Sequence, residues 1–298
     1  MTNVAFLGLG AIGRPMAARL AAAADISLAV WNRTAERARS FAAETNARHA
    51  ATPADAARGA DVAITCFPVS ADVDAVLDGP DGLLAGLARD TMLVDCTSGD
   101  PATSRRIAAR LAEHGVGFLD APVSGGTIGA EQGTLTVMVG GDEALLRRAR
   151  PVLETFGKKI VHCGDVGAGD ALKAVNNALL AIHVWSTAEG LAALAKAGVS
   201  ADVALDVINA SSGRSNTSMN LFPERVLTRV FPRTFRLALL DKDTRIATDI
   251  ARETRTPAEL LDLTSRLLGE ARAELGEEAD HMEAVRTIER RAETTIGG

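Results

Sequence analysis

The first half of the chain repeats one pattern, and the second half drops it. Short apolar runs recur as "VAFLG" (4–8), "SLAVW" (27–31), "VAITCF" (62–67), "MLVDC" (92–96), "VGFLDA" (116–121) and "LTVMVG" (135–140). Between most of them lie stretches with helical apolar spacing, such as "RPMAARLAAAA" and "PATSRRIAARLAEHG". Near-continuous apolar runs are what strands buried on both faces look like, and strand–helix alternation predicts an α/β, doubly wound, largely parallel sheet. After "KKIVHCGDVGAG" the strand signals largely disappear. The remainder reads as helices over roughly 168–196, 201–210, 217–229, 237–254, 257–274 and 280–292. The expected organisation is a dinucleotide-type domain over 1–164 and an all-helical domain over 165–298 for substrate binding and oligomerisation.

Composition supports two ordinary globular domains: 298 residues, 47% hydrophobic and 23% charged. A net charge of -6 gives no electrostatic reason to expect nucleic acid or an anionic membrane as a partner. The start, "MTNVAFLGLGAIG", lacks the basic and apolar regions of a signal peptide, and no charge-free run of about 18 apolar residues predicts a membrane span. Cys66, Cys96 and Cys163 lie in apolar stretches and read as reduced, buried cysteines of a cytoplasmic protein. His49, His114, His162, His183 and His281 show no metal-ligand spacing, so no metal site is expected. The chain has no tyrosine, which excludes mechanisms that rely on a tyrosine general acid.

Gly8, Gly10 and Gly13 form G-x-G-x-x-G directly after the first expected strand, at the opening of the first expected helix. That context separates a dinucleotide loop from a plain tight turn. The first glycine makes the turn, the second lets the backbone approach a pyrophosphate, and the third allows close helix–strand packing. Leu9, Ala11 and Ile12 complete the loop, and the helix N-terminus offers amide donors to phosphate. The architecture implied is a Rossmann-type domain. Where an NAD-preferring site carries Asp or Glu after the second strand, this chain has Asn32, Arg33 and Thr34, with Arg37 one turn on. A guanidinium and a hydroxyl suit a 2′-phosphate better than a diol, so NADP is favoured over NAD.

"GAGDALKAVNNALLA" (167–181) puts three polar residues inside an apolar helix. Leu172, Val175, Leu179 and Leu180 are expected to pack, whereas Lys173, Asn176 and Asn177 share a face at i, i+3 and i+4. The chain has five lysines against 27 arginines, which makes a lysine there conspicuous. The plain alternative is a lysine snorkelling at a helix rim beside two amides bonded to backbone. Farther back, "LDAPVSGGTIGAEQG" offers Ser124, Gly125 and Gly126 either as an anion nest for a carboxylate or simply as a glycine-rich loop between strands.

Taken together and in order, "FLGLGAIGRPMA", "DAPVSGG", "GTLTVMVGG", "GAGDALKAVNN" and "LLDKD" resemble the β-hydroxyacid dehydrogenase family over nearly the whole chain. "NASSGRSN" and "GEEADHMEAVR" look most like its bacterial 3-hydroxyisobutyrate dehydrogenases. The resemblance implies an NADP-dependent oxidation of a small 3-hydroxy acid to its semialdehyde, a place in valine catabolism, and a homo-oligomer, dimer or tetramer. Lys173 would be the catalytic lysine, with Asn177 holding the substrate and Asn176 beside it. Ser124, Gly125 and Gly126 would bind the substrate carboxylate. Phe67, Pro68 and Thr97 would line the nicotinamide half of the cofactor site, and Lys242 would approach the cofactor. Ile12 stands where the family usually has methionine, and Thr244-Arg245 where it often has Leu-Gly, which weakens the Lys242 assignment.

Hydride transfer from a carbinol carbon leaves a hydroxyl proton to be moved. A lysine within hydrogen-bond reach can take it, once burial lowers its pKa from about 10.4. His183 with Trp185 could shape the substrate pocket or pack in the core, and Ser212 or Arg214 could reach substrate or cap a helix end. Two other functions compete: a related semialdehyde or oxo-acid reductase, and a non-catalytic NADP-binding module, which has no need of Lys173. Imine reductases share the architecture but characteristically lack the lysine.

Overall fold

The computed structural model describes residues 1–297. The chain forms two compact units, Met1–Lys173 and the remainder from Ala174 on.

The first unit is built on a nine-stranded sheet. Its strands are β1 Thr2–Leu7, β2 Ile26–Trp31, β3 Arg48–His49, β4 Val62–Thr65, β5 Met92–Asp95, β6 Gly117–Asp120, β7 Val123–Ser124, β8 Leu135–Gly141 and β9 Gly157–Gly164. Six of them pair in parallel in the order β3-β2-β1-β4-β5-β6. The order reverses between β1 and β4, the topological switch point at which doubly wound sheets bind ligands. β8 runs antiparallel to β6 and β7 and parallel to β9.

The apolar runs are continuous because both faces are covered. On β1, Val4 and Phe6 enter one core while Ala5 and Leu7 enter the other. Phe6 is wholly buried, so its truncation to alanine costs about 3–5 kcal/mol. Helix starts are marked by side chains: Asp100 accepts from Thr103 N at 2.8 Å ahead of Pro101–Glu113, and Asp142 caps Glu143–Leu153.

The second unit is helical. Helix Ala168–Lys196 enters it from the first unit, and Ala201–Asn209, Leu237–Glu253, Glu259–Leu275 and Ala284–Arg291 follow. Trp185, Leu191, Phe222, Leu240, Leu268 and Met282 lie in its main core. Buried Asp280 ties loop to helix by accepting from Thr234 N, Phe235 N and Met282 N, and it pairs with Arg225.

Several expectations are corrected. "LTVMVG" is β8, which with β9 runs antiparallel to the other strands of the sheet. Three strands add to the expected six: β3 and β7, too short to give a pattern, and β9, which opens with two consecutive exposed lysines and has no run of buried apolar residues. The expected helix over 217–229 is a π-helix, Thr217–Leu227, with Pro223 inside it. Leu172 and Leu179 are 45% and 48% exposed in the chain, while Lys173 and Asn177 are buried and Val175 and Leu180 half-buried. Of the cysteines, Cys96 is buried but Cys66 and Cys163 are only half-buried; all three are free. His183 is exposed, so it is not core packing, whereas Trp185 is buried. Helix Ala168–Lys196 is long and apolar enough to span a bilayer by length and composition alone, as the core helix of a globular domain also is. It carries Asp170, Lys173 and Glu189, and its alanines and leucines form the core of the second unit.

Candidate active site

The glycine loop sits between the end of β1 and helix Gly13–Ala21, beside the switch point. Gly8 has φ +108°, a backbone state that glycine alone adopts readily, and a Cβ there would lie 2.3 Å from the Cys66 carbonyl oxygen. A Cβ on Gly13 would lie 1.9 Å from the Gly8 carbonyl oxygen, so helix and loop touch backbone to backbone. Gly10 faces open space, as a loop approached by a pyrophosphate requires. Ile12 at the N-cap offers no side-chain acceptor, and the first turn holds no acidic residue. An anion therefore meets amides with no competing carboxylate, and the loop fits the diphosphate of a dinucleotide.

The other residues of this segment divide between contact and support. Leu9 is buried and its amide donates to Asn32 Oδ1 at 2.9 Å, while Asn32 Nδ2 donates to the Thr34 carbonyl at 3.0 Å. Asn32 thus fastens the glycine loop to the end of β2. Arg33 and Thr34 are exposed, with Arg33 reaching Asp72 at 3.3 Å; Ala11 is exposed and Ile12 half-buried. A guanidinium held by one weak surface pair is able to turn to a phosphate.

After β4 and β5 the chain places Phe67 and Pro68 beside Thr97. Phe67 N donates to Thr97 Oγ1 at 3.0 Å. Thr97 N and Thr65 Oγ1 both donate to Asp95 Oδ1, at 3.0 and 2.8 Å. Burial pushes the Asp95 carboxyl up to about 6, against the opposing hydrogen bonds from Thr97 and Thr65. Asp95 anchors this pair of segments, and it was not singled out in the sequence because "MLVDC" reads as an apolar strand.

Ser124 ends β7 and is half-buried; Gly125 and Gly126 are exposed with φ +136° and +66°, turning the backbone into the short helix Gly126–Gln132. The expected loop is therefore a strand end joined directly to a helix.

Helix Ala168–Lys196 is continuous through the polar triplet. Lys173 and Asn177 are buried one turn apart, and Asn176 lies on the exposed side. Asn176 Nδ2 donates to Asn177 Oδ1 at 3.2 Å. Asn177 Nδ2 donates to Asp243 Oδ2 at 2.7 Å, and Lys242 Nζ pairs with Asp243 Oδ1 at 2.9 Å. Asp243 thereby brings together two residues that sequence reading assigned separately. It was missed although "LLDKD" contains it, because a charged residue in a helical segment reads as surface while Asp243 is 1% exposed. Ser212 and Arg214 are exposed in the turn after Asn209. Among the described residues no cluster of His, Cys, Asp and Glu could hold a metal.

Comparison with known proteins gives this geometry a family. Residues 3–164 match the NAD binding domain of 6-phosphogluconate dehydrogenase, and residues 167–288 the NAD-binding domain of NADP-dependent 3-hydroxyisobutyrate dehydrogenase. The chain is 34% identical to the 2-(hydroxymethyl)glutarate dehydrogenase of Eubacterium barkeri, over 95% of this chain and 93% of that one. It is 42% identical to an NAD-dependent L-serine dehydrogenase of Pseudomonas aeruginosa, over 72% and 71%. The Mycobacterium tuberculosis 3-hydroxyisobutyrate dehydrogenase, solved with L-serine, superposes with a TM-score of 0.87 at 34% identity, over 97% and 99%. The matched domains and relatives make the chain an NAD(P)-dependent oxidoreductase acting on a CH–OH group. The chain belongs to the β-hydroxyacid dehydrogenase family, of the 3-hydroxyisobutyrate dehydrogenase type.

Proposed function

We propose that this enzyme oxidises a small 3-hydroxy acid, with 3-hydroxyisobutyrate to methylmalonate semialdehyde as the leading case, using NADP and Lys173 as the acid–base group. The observation that carries this reading is the burial of Lys173 and Asn177 one turn apart, with Asn177 fixed by buried Asp243. Burying a lysine and an amide on an apolar helix is costly unless they are paired or hydrogen-bonded, as Asn177 is to Asp243. When bound, the nicotinamide accepts the hydride. Lys173 Nζ takes the hydroxyl proton during oxidation and returns it during reduction, a contribution of roughly 10²- to 10⁴-fold. Asn177 orients the hydroxyl without adding charge, with Asn176 steadying it. Ser124 and the backbone of Gly125 and Gly126 hold the substrate carboxylate. Phe67, Pro68 and Thr97 flank the nicotinamide, Gly8 to Gly13 take the diphosphate, and Lys242 meets the cofactor while paired with Asp243.

NADP is preferred because Arg33 and Thr34 stand where a carboxylate would select NAD. The printed description of the second matching domain also names an NADP-dependent enzyme, whereas the P. aeruginosa relative is named NAD-dependent. The exposed Leu172 and Leu179, with the exposed Val203 and Val207 one turn apart on the next helix, support a homo-oligomer, dimer or tetramer. Free cysteines support a cytoplasmic location.

A second reading is the reduction of a semialdehyde or oxo acid by the same residues run in reverse; the relatives' names, 2-(hydroxymethyl)glutarate and L-serine dehydrogenase, show that the hydroxy acid itself varies in this family. A spectrophotometric panel decides: 3-hydroxyisobutyrate, L-serine, glycerate and 4-hydroxybutyrate, each with NADP and NAD, and succinic semialdehyde with NADPH. The highest kcat/KM is expected for a 3-hydroxy acid with NADP. Turnover confined to 4-hydroxybutyrate or to the aldehyde direction contradicts the reading.

A further inference from the structure

Beneath the segments just described lie three buried carboxylates: Asp95 at the end of β5, Asp120 at the end of β6, and Asp170 in the first turn of helix Ala168–Lys196. All three belong to the first unit. Asp120 Oδ1 accepts from Gly167 N at 2.7 Å and its Oδ2 from Asp170 N at 3.0 Å, so this carboxylate caps the helix from the neighbouring strand. Asp170 reaches the other way. Its Oδ1 accepts from Gly99 N at 3.1 Å, and its Oδ2 lies 2.6 Å from Ser104 Oγ. The fit is close: a Cβ on Gly99 would lie 3.2 Å from both Asp170 oxygens, and one on Gly169 would lie 2.3 Å from the Met138 carbonyl oxygen.

Asp170 is three residues before Lys173, one helical turn back on the same face. We propose that Asp170 is a positioning residue for Lys173, tying the first turn of its helix to Gly99 and Ser104 and so fixing the lysine against the segment that carries Thr97. This rests on the reading of Lys173 as the acid–base group. Asp120, with two backbone donors and the helix N-terminus beside it, caps the helix. Burial first, then the charges of Asp120 and Asp95, push Asp170 well above the usual carboxylate range. Both oxygens of Asp170 are met by donors, Gly99 N and Ser104 Oγ, so two hydrogen bonds hold this turn in place. An asparagine keeps both contacts: Oδ1 still accepts from Gly99 N, and Nδ2 donates to the Ser104 hydroxyl once that hydroxyl turns to accept. An alanine removes both anchors.

The test compares Asp170→Asn, Asp170→Ala, Ser104→Ala and Lys173→Ala with the unmodified enzyme. Turnover is measured with NADP and whichever of 3-hydroxyisobutyrate and L-serine the unmodified enzyme oxidises. Hydrogen exchange of the peptide over residues 165–175 is followed in the same proteins without ligands. The expected result is kcat within about threefold for Asp170→Asn, a loss of about 30-fold or more for Asp170→Ala, and an intermediate loss for Ser104→Ala. The KM for NADP should change less than threefold throughout. Exchange over 165–175 should quicken in the alanine variants and stay slow in Asp170→Asn. If Asp170→Ala does not fold, Ser104→Ala against Asp170→Asn decides. Unchanged kcat and exchange in Ser104→Ala, or failure of Asp170→Asn to preserve kcat, overturns the proposal. Substantial turnover by Lys173→Ala instead overturns the reading of the lysine.

Discussion

Asn177 Nδ2 donates to Asp243 Oδ2 at 2.7 Å, and neither side chain is more than 4% exposed. A buried amide aimed at a buried carboxylate is held in one rotamer, which leaves the Asn177 carbonyl oxygen in a fixed direction. Asp243→Ala leaves both Asn177 and Lys242 without this partner. Loss of a buried, charge-assisted hydrogen bond costs about 1.5–3 kcal/mol, so a lower Tm is expected together with a kcat reduced about 10- to 100-fold. Differential scanning calorimetry and initial rates check this, and Asp243→Asn should fall between the two.

The glycine loop makes a sharper steric prediction. Gly13→Ala places a methyl carbon where the Gly8 carbonyl oxygen already lies 1.9 Å away. The helix must move off β1, at about 1–3 kcal/mol and with the diphosphate loop displaced. Weakened NADP binding by at least tenfold in a fluorescence titration is expected. Gly10→Ala, with open space at its Cβ, should leave the fold intact while still blocking the approach of the cofactor.

Cofactor choice is expected to follow Arg33. Its side chain is 83% exposed and, among the described residues, pairs weakly with Asp72, so Arg33→Ala should leave Tm unchanged. One charge-assisted bond to a 2′-phosphate corresponds to about a tenfold rise in KM for NADP, with KM for NAD altered less than twofold. Equal effects on both cofactors contradict the assignment.

Much of this was legible from residue patterns, and the gaps have physical causes. The β1–loop–helix unit was legible because strand, glycine spacing and helix coincide in a dozen residues. The polar face of helix Ala168–Lys196 was legible too, but its consequence was inverted. Leu172 and Leu179 read as packing residues because apolar side chains usually are, yet the chain buries Lys173 and Asn177. Asp95, Asp170 and Asp243 were passed over for the same reason. A carboxylate is assumed to be solvated, and only the fold shows the threonines, amides and asparagine that satisfy it. β9 escaped because an edge strand with two lysines has no apolar run to find.

Stability should depend on pH through Asp95. Its carboxyl is raised from an ordinary value of 3.8 to about 6, so the neutral form is favoured by folding. That contribution is fully present below about pH 4 and is lost as pH rises through about 6, on the order of 3 kcal/mol. Asp95→Asn keeps an acceptor for Thr65 and Thr97 and cannot ionise. Its Tm relative to the unmodified protein should therefore rise between pH 5 and pH 8; a constant difference across that range contradicts the account.

The most direct test of the account is the initial rate of NADPH formation at 340 nm by Lys173→Ala, on the hydroxy acid the unmodified enzyme oxidises best. The variant should fold, bind NADP within threefold of the unmodified enzyme, and turn over at least 100-fold more slowly. A kcat within tenfold of the unmodified enzyme would show that the proton is moved by another group.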